Sequence, residues 1–208
     1  MKTMTSTYLE KDKKETFRQM LLRKAYPLIR KFGKKGKNGT VLVNEKKRAP
    51  VASFYDLKVS LNNGKMLAFS ELKDKKVVLV NTASDCGYTG QYTELQTLHE
   101  RYGDTLRIIA FPANDFAREE KGDDQKIAQF CQLNYGVTFP VAKKSVVIKN
   151  PAQHQVFAWL SDKSLNGWND HAPDWNFSKY VIDEKGTLTH YFGPSISPLE
   201  ADFLKALE

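Results

Sequence analysis

Two apolar runs with a helical stretch between them constrain this chain most. "KKVVLV" at residues 75–80 and "TLRIIAFPA" at 105–113 show no polar alternation, as strands covered on both faces do. Between them, Tyr92, Leu95, Leu98 and Tyr102 recur at inward helical spacing, and Gly103 supplies a stop. A strand, a helix and a strand of these lengths make a crossover between parallel neighbours. The chain is therefore read as an α/β protein.

The remaining punctuation extends the pattern. "FYDLKVSL" and "KMLAF" flank "NNG" as a hairpin, and "GDDQKIAQFCQLNYG" opens with acidic residues and closes on Gly136 as a helix. "NPAQHQVFAWLSDK" is a further helix, "SKYVIDEKGTLTHYFG" a hairpin across "DEKG", and "SPLEADFLKALE" a closing helix with a Ser-Pro start. This order predicts a mixed central sheet with helices on both faces, and is similar to that of a thioredoxin-like fold. At 208 residues and 41% hydrophobic, the chain suits one core with an appendage. No apolar stretch approaches the roughly 18 residues of a membrane span.

The charge is unevenly placed. Residues 1–50 hold fifteen Lys/Arg against four Asp/Glu, a charge of +11, which leaves −3 on the rest of a chain whose net charge is +8. The basic character belongs to an arm, so nucleic acid is not an expected partner. Within the arm, Phe17, Met20, Leu21, Ala25, Leu28, Ile29 and Phe32 share one helical face over residues 16–32, and Pro27 should kink or break that helix. The stripe packs on the body of this or a neighbouring subunit, or meets a membrane surface or an acidic partner. "GKKGKNG" reads as a flexible linker, so residues 1–50 are taken as arm and linker and 51–208 as the domain. The N-terminus lacks the h-region of a secretory signal and carries Glu10, Asp12 and Glu15, which makes the cytoplasm the expected compartment. Two cysteines there are free or redox-active.

Cys86 follows the first buried strand in "NTASDCGYTGQY". In open α/β sheets, chemistry gathers at the carboxyl ends of parallel strands. A buried filler is the bland reading. Placement in the first turn of a helix would instead favour the thiolate, and so a nucleophile. A Cys-x-x-Cys reductase is disfavoured by Thr89, and the Pro-x-x-x-Thr-x-x-Cys pattern of peroxiredoxins by Leu79 and Ala83.

Four ordered motifs then resemble the glutathione peroxidase family in its cysteine-containing form. "VNTASDCGYTGQY" is similar to V-N-V-A-S-x-C-G-x-T-x-Q-Y, and "FPANDF" to F-P-C-N-Q-F. "IAQFCQLNYGVTFP" matches its stretch almost residue for residue, and "DWNFSKYVIDEKG" is similar to W-N-F-x-K-F-L-V-D. The resemblance covers nearly all of residues 51–208. It implies a thiol peroxidase of hydrogen peroxide or organic hydroperoxides, with a catalytic quartet of Cys86, a Gln, Trp175 and Asn176. Indole and carboxamide N–H groups suit the holding of a thiolate and the charge on a departing oxygen.

The family Gln is Glu119 here. An ionised carboxylate donates no hydrogen bond and raises the pKa of a nearby thiol; Asp85, where Lys is common in the family, pushes the same way. The expectation is slower reduction than in a Gln-bearing relative, unless Glu119 is protonated or turned to solvent. The cysteine of F-P-C-N-Q-F is Ala113, which leaves Cys131. The resemblance implies that Cys131 resolves the sulfenic acid as a disulfide, with residues 123–134 unwinding, and that thioredoxin rather than glutathione reduces it. Ile127, Phe130 and Cys131 share an apolar helix side, so a buried structural cysteine competes with that role.

The insertion of tetrameric, glutathione-using members is absent between Pro140 and Trp175, which implies a monomer or dimer. His99, His154, His171 and His190 show no metal-ligand spacing, and neither metal nor cofactor is expected. Rival readings are a peroxide sensor that passes oxidation to a partner, and a catalytically weakened binding module.

Overall fold

The structure, a computed structural model, describes residues 15–208. The first fourteen residues of the basic arm lie outside them. In chain order the elements are α1 (Phe17–Gly33), β1 (Val41–Val43), β2 (Lys58–Ser60), β3 (Met66–Ala68), β4 (Lys76–Thr82), α2 (Gln91–Tyr102) and β5 (Leu106–Pro112). They continue with α3 (Asp124–Tyr135), α4 (Gln155–Leu160), α5 (Lys163–Asn166), β6 (Lys179–Ile182), β7 (Leu188–Phe192) and α6 (Ala201–Lys205).

The two apolar runs become β4 and β5, paired in parallel at one end of a five-stranded sheet of order β1-β7-β6-β4-β5, with β4 interior and β5 the last strand. The other pairings are antiparallel, so the sheet is mixed, as expected. Alternation along each strand divides two cores. Val78, Val80, Ile108, Ala110 and Val181 meet α2, α3 and α6 on one face. Val77, Leu79, Ile109, Phe111 and Tyr180 meet α4 and the segment around Phe54 and Phe69 on the other. The expected hairpin across "NNG" is the separate β2-β3 ribbon, where Gly64 takes the positive φ of 84° that its turn requires.

Three expectations are corrected. Residues 33–39 are not a flexible linker: the Asn38 backbone oxygen accepts from Ser195 N at 2.8 Å and from Ser195 Oγ at 2.6 Å, and just beyond, Gly193 N donates to Thr40 O at 2.7 Å. The chain then runs straight into β1, an edge strand on β7 that three residues are too few to announce in sequence. Pro27 does not break α1, which runs unbroken from Phe17 to Gly33; the proline is exposed, on the side of the helix where the Arg23 carbonyl that it deprives of a donor can be solvated. The closing helix starts at Ala201, after a buried turn at Ser195–Ser197, instead of at the Ser-Pro step.

The inner side of α1 packs on the body through Tyr26, whose hydroxyl donates to Glu94 Oε2 at 2.9 Å. Arg30 and Lys34 both reach Glu200 at 2.7 Å. Within the expected stripe, packing on its own subunit holds for Ile29, beside Tyr26, which the stripe did not include, while Phe17, Leu21, Leu28 and Phe32 face outward. Among the described residues no helix is long and apolar enough to cross a membrane.

Candidate active site

Because β4 runs antiparallel to β6 and parallel to β5, the carboxyl ends of β4 and β5 lie beside the start of β6. Three segments converge there: 84–88 after β4, 114–120 after β5, and 174–178 before β6. They carry Cys86, Glu119, and the Trp175-Asn176 pair. Four sequence-predicted residues are thereby gathered in one place.

Asn81 fastens the third segment to the strand. Its backbone oxygen accepts from Phe177 N at 2.6 Å, its Oδ1 from Ser178 N at 3.1 Å, and its Nδ2 donates to Trp175 O at 3.1 Å. Phe177 sits at φ 68°, which for a non-glycine residue costs about 1–2 kcal/mol. Full burial of its ring against Tyr92, at 5.2 Å between centroids, is worth about 2–3 kcal/mol and carries that strain. Asn176 is thus locked facing the cysteine loop, and Trp175 packs on Phe116 in a tilted arrangement with centroids 5.5 Å apart.

The middle segment reverses through Ala117 and Arg118, both at positive φ (47° and 55°). That turn lets Glu119 O accept from Asp85 N at 3.0 Å while the Glu119 carboxylate faces inward, accepting from Asn176 Nδ2 at 2.9 Å. Glu119 is therefore not turned to solvent. Asp85 behaves otherwise: its Oδ1 accepts from Gln19 Nε2 of α1 at 2.8 Å, so its charge is engaged by an amide of the arm.

Cys86 is 1% exposed. The expected first-turn placement is corrected, since α2 begins at Gln91 and Cys86 lies in the turns leading to it. Burial pushes its thiol well above the ordinary range, and the Glu119 carboxylate beside it adds to the rise; the Tyr88 N–H and the Asn176 amide pull the other way. The expected lowered pKa does not hold in this arrangement, while the expected influence of Glu119 does.

Cys131 lies on the inner side of α3, 1% exposed, within the same apolar cluster as Cys86. Both thiols are free. Burial pushes Cys131 up to about 12, with the neighbouring Tyr92 hydroxyl acting in the opposite sense. A cleft of about 340 Å³ opens alongside, between Ser84, Asp85, Glu119 and Glu120 on one side and Ile127 and Phe130 of α3 on the other.

Sequence reasoning missed two positioning residues. Asn81 had a signal, a carboxamide inside an otherwise apolar strand. Glu120 had none beyond its neighbour. It is the one carboxylate fully buried among the described residues, and its Oε2 accepts from both Ser84 N and Ser84 Oγ at 2.9 Å, two residues before Cys86. Burial raises its pKa to about 7, against the pull of the Ser84 donors. Among the described residues no three His, Cys, Asp or Glu side chains converge as metal ligands.

The model of the family described as glutathione peroxidase matches residues 54–161. Glutathione peroxidase-like peroxiredoxin 2 of Saccharomyces cerevisiae is 38% identical over 151 residues, covering 72% of this chain and 93% of that protein. Among solved structures, T. cruzi GPX1 is 27% identical with a TM-score of 0.56, over 74% of this chain and 96% of that one. A thioredoxin family thiol:disulfide interchange protein from Chlorobium tepidum matches at 16% identity and a TM-score of 0.54, over 77% of this chain and 94% of that one. The last likeness is one of fold alone, and the fold is thioredoxin-like.

Proposed function

The chain belongs to the glutathione peroxidase family, and from that premise we propose that it is a thiol peroxidase in which Cys86 attacks hydrogen peroxide or an organic hydroperoxide. The observation that supports this reading most is the convergence of Glu119 and Asn176, joined at 2.9 Å, on the Cys86 loop at the carboxyl end of β4.

The chemistry must begin from a buried, protonated thiol. As the sulfur attacks the nearer peroxide oxygen, an S–O bond forms and the O–O bond breaks. The Glu119 carboxylate takes the thiol proton, a role that the family's Gln could not fill, and passes it to the departing oxygen, which leaves as water or alcohol and restores the carboxylate. Asn176 and Trp175 offer N–H groups to the charge on that oxygen. Cys86 is left as a sulfenic acid, oxidised by two electrons.

In the second step the Cys131 sulfur attacks the sulfenic sulfur, a disulfide forms, and its hydroxyl leaves as water. An internal disulfide suits a dithiol reductant, because the second thiol of the reductant resolves the mixed disulfide. Thioredoxin is accordingly the proposed donor, acting on a monomer or dimer in the cytoplasm, where thiols are otherwise kept reduced.

Hydroperoxide consumption coupled to thioredoxin, its reductase and NADPH tests this reading, with glutathione as the parallel donor. Turnover with thioredoxin, abolished by Cys86→Ser and reduced at least tenfold with glutathione, is the expected result. Mixed disulfides with a partner in place of turnover would favour the sensor, and no oxidation of Cys86 would favour the binding module.

A further inference from the structure

Helix α1 has two apolar sides, and the body of the protein uses only one of them. On the inner side Gln19, Tyr26 and Ile29 engage the loop around Cys86: Gln19 bonds Asp85, while Tyr26 and Ile29 close on Gly90 and Gly87. Among the described residues nothing covers the outer side. Phe17, Leu21, Leu28 and Phe32 stand 76%, 56%, 59% and 66% exposed there. Their spacings of four, seven and four residues put them within about 60° of one another around the axis, over about 22 Å of helix. Of the ten large apolar residues exposed among the described residues, these four form the one linear group.

The charges around this stripe are all of one sign. Exposed Lys24 and Lys31 border one edge, Arg18 borders the other, Lys35 follows the end, and α1 contains no acidic residue. A stripe of Phe and Leu between basic borders has the composition of a helix lying in the interface of a bilayer. We infer that the outer face of α1 rests on an anionic lipid surface.

Shape and charge favour this occupant over the others. A groove on a protein partner must wrap a helix, but the inner half of α1 is already held by Glu94, Asp85 and Glu200. A flat surface needs only the proud face that remains. A second copy of the chain would bring like-charged borders together. The lipid surface instead attracts them, and apolar side chains enter it to the depth of the headgroup boundary. The loop carrying Cys86 then lies about one helix diameter beneath the lipid.

Co-sedimentation of the full chain with vesicles tests the inference, comparing phosphatidylcholine alone with phosphatidylcholine mixed with phosphatidylserine. Binding to the mixed vesicles only is expected, weakened at least tenfold by Lys24→Glu with Lys31→Glu and by high salt. The fourfold variant Phe17→Ser, Leu21→Ser, Leu28→Ser, Phe32→Ser should abolish it. These side chains face water, so the thermal midpoint and the Cys86 chemistry should be unchanged in the same variants. Absence of binding to the mixed vesicles overturns the inference, as does binding that survives the fourfold change. A dimer in solution that the fourfold change dissociates would assign the stripe to a second copy, and would overturn it equally.

Discussion

At the scale of single residues, the exchange of a carboxamide for the Glu119 carboxylate decides how the thiol is activated. The carboxylate raises the thiol pKa, which works against a resting thiolate, yet it is also the nearest base to a proton that must leave. Glu119→Gln removes both effects. This reverses the expectation drawn from sequence, in which Glu119 slowed reduction: with the carboxylate held beside the thiol as its nearest base, we expect hydroperoxide reduction at neutral pH to fall about tenfold or more in that variant, with a rate that climbs steadily toward alkaline pH as free thiolate replaces base catalysis. Stopped-flow rates across pH check this; a faster variant at neutral pH would mean that Glu119 only suppresses the thiolate. Glu120 offers a separate test through stability. Its folded pKa, raised to about 7, exceeds the unfolded carboxylate value, so the folded state binds the extra proton between the two. Stability from this group is greatest below about pH 4.5 and is lost as pH rises toward 7, by about 3 kcal/mol at most. Glu120→Gln, which cannot ionise, should flatten that fall in thermal unfolding curves, and an unchanged slope would contradict the assignment. The pull of Glu119 on the thiol was legible from its motif, but its use as a base and the role of Glu120 were not, because burial and hydrogen-bond partners come from segments distant in the chain.

At the scale of elements, α1 and α3 bracket the cysteine loop, one held by polar clasps and the other by apolar packing. The clasp of α1 depends on the absence of side chains at two glycines. A Cβ at Gly90 would lie 2.5 Å from Tyr26 Cδ1, and one at Gly87 would lie 2.9 Å from Ile29 Cδ1. Gly90→Ala should therefore expel the Tyr26 ring, break its bond to Glu94 and speed hydrogen exchange across residues 17–33 at least tenfold, while β4 and β5 keep their protection. Exchange that stays unaltered would mean that α1 is held elsewhere. The elements themselves were largely legible. Continuous β-branched runs gave β4 and β5, and helical spacing with a terminal glycine gave α2 and α3. What escaped was short or set by tertiary contact. Strand β1 has three residues and is defined by β7, the turn at 33–39 is ordered by Asn38 and Gly193, and α2 starts five residues later than a thiol in its first turn would need.

At the scale of the whole molecule, the sheet brings three sequence-distant segments to one end, and this convergence is what the linear motifs encoded without displaying. Cys86, Trp175 and Asn176 were legible as motif residues, and Asn81 was visible as an anomaly within an apolar strand. The relation between the two thiols was not. Both are buried in one apolar cluster on separate elements, so joining them needs α3 to give way beside the cleft at Ile127 and Phe130. Peptide mass analysis without reduction, after one equivalent of hydrogen peroxide, tests this cycle most directly. The account predicts a linked Cys86–Cys131 peptide that reductant cleaves and that Cys86→Ser abolishes. Oxidised protein in which Cys131 stays a free thiol, or in which Cys86 is untouched, would contradict it.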